Sequence, residues 1–139
     1  MTTVRSAIAA AMAAATGVVA LAPVASANPV PGPPFVDHVE WAKWGDLSSL
    51  RVYPTQAGRT AAGQLGTNSE ADEAWTEVLT LSPDADIPGM REQFVCHWQL
   101  AEFAEPGKVS WNLEPWRPEV DANEMLVTGC NPGGTEEPF

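Results

Sequence analysis

The sequence predicts a small α+β fold: an antiparallel sheet of about five strands, one main helix packed on one face, and one disulfide. Three observations carry this reading. Short runs rich in Val, Trp, Tyr and Leu alternate between turn residues, one segment repeats its apolar residues at helical spacing, and the chain holds only two cysteines, Cys96 and Cys130.

The N-terminus bounds what the rest must be. Arg5, the apolar run Ala7 to Leu21 and the small-residue triplet Ala25-Ser26-Ala27 read as a secretory signal peptide over 1–27, with cleavage expected after Ala27. No other stretch is apolar enough to span a bilayer, and no cysteine near the cleavage point offers a lipid anchor. The expected product is therefore secreted and extracellular. Removing 27 of 139 residues leaves 112, and since only Arg5 is lost the net charge moves from −11 to −12. That length suits one domain. So acidic a surface repels phosphate backbones, so nucleic acid is not expected as a partner. In an oxidising compartment two lone cysteines pair, which predicts a Cys96–Cys130 disulfide acting as a staple; without a C-x-x-C spacing no redox role is expected.

The elements follow in order. Residues 28–35, with four prolines between Asn28 and Pro34, read as a Pro-rich leader, and 36–139 as the folded domain. Val36 to Trp44 and Ser49 to Thr55 flank Gly45-Asp46 and predict a hairpin or two adjacent strands. The run through Gly58, Gly63 and Gly66 predicts a loop. Asn68 or Ser69 caps a helix whose Ala71, Ala74, Trp75, Val78 and Leu79 share one face, ended by Ser82-Pro83. From Gln93 to Phe103 the chain alternates, with Phe94, Cys96, Trp98 and Leu100 on one side, and reads as a strand. Glu105-Pro106-Gly107 turns it into a second strand carrying Val109, Trp111 and Leu113. Glu124 to Cys130 reads as a last short strand.

If the hairpin pairs Phe103 with Lys108, His97 lies opposite Glu114 and Gln99 opposite Asn112, four polar side chains on one face. Directly opposed residues sit about 5 Å apart at Cβ, close enough for a carboxylate to orient an imidazole as an acid or base would need. His97 and Glu114 are thus the catalytic candidates, although no nucleophile motif accompanies them and a satisfied polar couple is the plainer reading. Arg117 adds a possible anion clamp. Asp37-His38-Val39-Glu40 and Asp84-Ala85-Asp86 are weak metal hints without a full ligand set, so no metal or other cofactor is expected. Of six tryptophans, Trp75, Trp98 and Trp111 fall on the apolar faces, whereas Trp116, inside Pro115-Trp116-Arg117-Pro118, suits a binding surface.

Met90-Arg91, Gln93-Phe94, Cys96-His97-Trp98, the run Trp111 to Pro118 and Cys130-Asn131-Pro132-Gly133-Gly134 together resemble a family of small secreted bacterial proteins, mainly actinobacterial, classed as a domain of unknown function. The resemblance covers nearly the whole mature chain. It implies export and the disulfide, and no activity. A looser, fold-level likeness is to the actinobacterial subtilisin inhibitors. This chain lacks their second disulfide and has His97-Trp98 where they carry a Cys-Pro reactive loop.

The leading expectation is a non-enzymatic extracellular binding domain using Gln99, Asn112, Glu114, Trp116 and Arg117, its partner an unidentified protein, peptide or small molecule and its state monomeric. The alternatives are a small secreted hydrolase working through His97 and Glu114, and a secreted protease inhibitor.

Overall fold

The computed structural model describes residues 17–23 and 28–134. The expected cleavage triplet, Arg5 and much of the apolar run before it lie outside the described residues, as does the end of the chain beyond Gly134. Among the described residues the fold is α+β, with three antiparallel strands rather than five, four α-helices and one disulfide.

Strands β1 (Val36–Trp44) and β2 (Leu47–Pro54) form the expected hairpin, from Trp44 opposite Leu47 to Val36 opposite Pro54. Gly45, at φ 59°, supplies the left-handed backbone that so tight a reversal needs. Val39 and Trp41 face inward with Leu50 and Val52, and His38, Glu40, Arg51 and Tyr53 face outward. Phe35, assigned to the leader from sequence, is 1% exposed and belongs to the core.

The glycine-rich segment is not a loop. It holds helix α1 (Gln56–Ala62), capped by the Thr55 hydroxyl, which accepts the Gly58 N–H at 2.9 Å. Gly58 is there for close approach and not for flexibility: a Cβ at this position would lie 2.2 Å from the Phe35 carbonyl oxygen. Helix α2 (Asn68–Leu81) is as expected, burying Ala71, Ala74, Trp75 and Val78. Its N-cap is Thr67, whose hydroxyl instead donates to Ala61 O and accepts the Trp98 indole N–H at 2.9 Å.

The largest departure is at Met90–Ala104. The expected strand is helix α3, 15 residues long. Sixteen residues between Gly89 and Pro106, with Met, Gln, Leu, Glu and Ala throughout, favour a helix over a strand. Two seams of α3 are buried. Met90, Phe94, Trp98 and Ala101 enter the main core, where Phe94, Trp98 and Trp111 pack at centroid distances of 6.0–6.3 Å. Cys96 faces a smaller cluster with Met125 and Cys130.

The chain then turns at Glu105-Pro106-Gly107 and enters β3 (Trp111–Leu113), which pairs antiparallel with β2 and not with residues 93–103. The last expected strand is helix α4 (Ala122–Val127), capped by Asp121 and tied to α3 through Cys96–Cys130. Met125 is its one buried residue, so helix formers without a two-sided apolar pattern decide for helix.

Candidate functional site

The register of β2 with β3 sets Leu50 opposite Leu113, and one step further brings Ser49 beside Glu114. The Ser49 hydroxyl donates to Glu114 Oε1 at 3.0 Å, and Arg117 Nε donates to Glu114 Oε2 at 2.7 Å. Neither charged side chain touches solvent: both are 0% exposed. Arg117 Nη1 also donates to the carbonyls of Pro132 and Gly134, at 3.2 and 3.1 Å. A buried pair needs such extra bonds, because desolvating two ions costs several kcal/mol each, roughly, and the remaining donors must be satisfied.

From the other side comes α3. Gln93 donates through Nε2 to Glu114 O and accepts Glu114 N–H at Oε1, both at 2.9 Å. Four Cα positions on, His97 Nδ1 donates to the Gln93 carbonyl at 2.8 Å, which fixes the ring against its own helix. A carbonyl can only accept, so in neutral His97 the proton sits on Nδ1. His97 is 5% exposed and borders a hollow of about 110 Å³ with Glu105, Lys108 and Asn131.

The opposition of His97 to Glu114 and of Gln99 to Asn112 therefore does not exist, because it required a strand where α3 stands. Gln99 is exposed on α3 beside a groove of about 200 Å³ that it shares with Val95, Met125 and Leu126. Asn112 lies on β3 opposite Arg51 and accepts the Ser110 hydroxyl at 2.8 Å. Glu114 and Arg117 do come together, but inward. Trp116 is 37% exposed, with the Arg117 guanidinium carbon 4.6 Å from its ring centroid. Gly133 sits where a Cβ would lie 2.7 Å from Pro118 Cδ, so the Cys130 to Gly134 turn closes tightly over the Trp111 to Pro118 run.

Two participants escaped the sequence reading. Ser49 carries no signal beyond its place in β2. Gln93 was visible beside Phe94, but a strand assignment set it on the wrong face. A titrating group with a resolved displacement lies elsewhere: Asp84 is held below its ordinary value of 3.8, first by the hydrogen bond from Ser82, with desolvation acting against it. Among the described residues no group of three or more His, Cys, Asp and Glu side chains is placed to hold a metal ion, and no helix is long and apolar enough to cross a membrane.

The arrangement defines a disulfide-stapled α+β domain in which the Cys96, Trp111–Pro118 and Cys130–Gly134 motifs interlock. The chain belongs to the family described as "Protein of unknown function (DUF2599)", whose model matches residues 36–133. It is 64% identical over 112 residues to the uncharacterized protein Rv0477 of Mycobacterium tuberculosis, covering 81% of this chain and 75% of that one. It is also 53% identical over 103 residues to the uncharacterized protein ML2452 of Mycobacterium leprae, covering 74% of this chain and 83% of the relative. No solved structure matches the chain.

Proposed function

We propose that this protein is an exported, non-enzymatic binding domain whose recognition surface centres on Trp116. One observation carries the reading: the only carboxylate–guanidinium pair in the motif is wholly buried and fully occupied, while the tryptophan between its partners' prolines stays at the surface. A carboxylate engaged by Ser49 and Arg117 at 0% exposure is poorly placed to move a substrate proton, which weighs against the hydrolase reading. A rigidly backed aromatic surrounded by proline is instead the type of group that anchors a partner at low entropic cost. The inhibitor reading gains no support, since no reactive loop follows Cys96; α3 continues through it.

Two experiments test this. N-terminal sequencing of the product from an actinobacterial host should give Asn28; retention of residues 1–27 would overturn export. Trp116→Ala in the mature chain should leave the melting temperature within about 2 °C while abolishing retention on an extracellular ligand, a shift of less than about 0.5 kcal/mol. A large loss of stability would assign Trp116 to structure.

A further inference from the structure

The Cys96–Cys130 disulfide joins α3 to the turn after α4. Helix α4 ends there in a Schellman pattern, with Cys130 N–H donating to Met125 O and Gly129 N–H to Leu126 O, both at 3.0 Å. The pattern needs one left-handed residue, and Gly129 at φ 60° supplies it. Cys130 follows at φ 68°, the one non-glycine residue with positive φ among those described, and a residue with a Cβ is strained there. Little else holds it: the buried cluster on this side consists of Cys96, Met125 and Cys130. Opening the bond lets Cys130 relax.

The two cysteines are buried, yet they border separate hollows. Cys96 lines the groove of about 200 Å³ between α3 and α4, with Val95, Gln99 and Met125. Cys130 lines the hollow of about 110 Å³ that holds His97, Glu105, Lys108 and Asn131. A thiolate reaching Cys96 Sγ through the groove expels Cys130 Sγ, the sulfur whose residue borders Lys108. A positive neighbour stabilises a leaving thiolate, and a better leaving group speeds exchange. Glu105, its carboxylate 3.5 Å from Lys108 Nζ, tempers that charge without removing it.

The state of the bond reaches Trp116 through Arg117. Arg117 Nη1 donates to the Pro132 and Gly134 carbonyls of the tethered turn, and its guanidinium carbon lies 4.6 Å from the Trp116 ring centroid. When the turn leaves, a buried cation loses two acceptors and must reach water instead, so the group backing Trp116 moves. We infer that Cys96–Cys130 is a thiol-exchange site whose redox state decides whether the Trp116 surface is formed. The reductant is a dithiol oxidoreductase. Its first thiolate bonds to Cys96 Sγ as the S–S bond breaks and Cys130 departs as a thiolate that takes up a proton; its second thiol then displaces Cys96. Two electrons and two protons pass to this chain, and the partner leaves as a disulfide. A pair without C-x-x-C spacing does not catalyse such exchange but is a substrate for it. The regulatory meaning rests on the reading of Trp116 as a recognition surface; the exchange and the response of Trp116 do not.

The test uses oxidised chain 28–139 with thioredoxin as the dithiol probe. A thioredoxin variant lacking its second cysteine should be trapped, by mass spectrometry, on Cys96 at least about tenfold more than on Cys130. On full reduction the NMR indole signal of Trp116, assigned with Trp116→Phe, should shift and broaden, then return on reoxidation, while the indole signals of Trp98 and Trp111 stay in place. Lys108→Gln should slow the exchange about threefold at an unchanged melting temperature, and Lys43→Gln, with the same charge change on β1, should react as the parent does. Absence of an adduct, trapping on Cys130, an unmoved Trp116 signal, displacement of Trp98 and Trp111 as in global unfolding, or a parent-like rate in Lys108→Gln would each overturn the inference. None of these readouts needs a ligand. A ligand retained equally by both redox states, once the Trp116 signal has moved, would leave the exchange site in place and overturn the recognition reading instead.

Discussion

Gln93 lends its side-chain amide to both backbone groups of Glu114, so a helix side chain serves as the next strand along the free edge of β3. The sheet ends at three strands because α3 closes it there. This also explains why Glu114 can be buried: its N–H, its C=O and both carboxylate oxygens are met within the protein.

Gln93→Leu replaces the amide by an apolar side chain of similar size; it strands the buried Glu114 N–H and leaves the Glu114 carbonyl with only the Arg117 N–H, at 3.2 Å. An unmet buried donor costs about 1–3 kcal/mol, so the variant should lose roughly that much in urea denaturation. A loss below about 0.5 kcal/mol would mean that water replaces the amide and that the closure contributes little.

Breaking the buried ion pair should cost more. Glu114→Gln leaves the Arg117 guanidinium in the interior with a neutral neighbour, and Arg117→Met leaves the carboxylate; each should cost about 3–5 kcal/mol. The double variant should be clearly more stable than the sum of the two losses, because neither charge is then orphaned. Strict additivity would show that the pair is not coupled as its 2.7 Å contact implies.

The Cys130 to Gly134 turn is held at two points, by the disulfide to Cys96 and by Arg117 to the Pro132 and Gly134 carbonyls. Reduction reopens a sequence separation of 34 residues, for which the chain-entropy account gives about 4 kcal/mol. Hydrogen exchange should show α4 and residues 130–134 losing protection first, since only Met125, Cys96 and Cys130 form the buried cluster there. Simultaneous loss of protection in β2 would refute a separable unit.

The parts legible in the sequence were those with a single buried face. The β1–β2 hairpin declared itself through alternation around Gly45-Asp46, and α2 through one stripe from Ala71 to Val78. Helix α3 was misread because it is buried on two sides. Phe94 and Trp98 serve one seam and Cys96 the other, so positions 94, 96 and 98 imitate a strand even though 90, 94, 97, 98 and 101 keep helical spacing. The same error misplaced the polar site. Glu114 and Arg117, both candidates from the sequence, do meet, but their partners, Ser49 from β2 and Gln93 from α3, depend on packing between elements far apart in sequence.

Acid should act on a third, exposed locus. Ser82 Oγ accepts from Trp41 Nε1 and donates to Asp84, tying the first strand to the turn after α2. The hydrogen bond favours the Asp84 carboxylate, so its folded pKa lies below the ordinary 3.8. A depressed carboxylate binds its proton less readily in the folded state. Its stabilisation is therefore complete above 3.8 and lost as pH falls through the lower folded value. Because Asp84 is exposed the effect is small, and Asp84→Asn isolates it: parent and variant should show different slopes of urea midpoint against pH below about pH 4, and parallel curves above about pH 5. Identical slopes throughout would mean that the Ser82 bond is made equally in the unfolded chain.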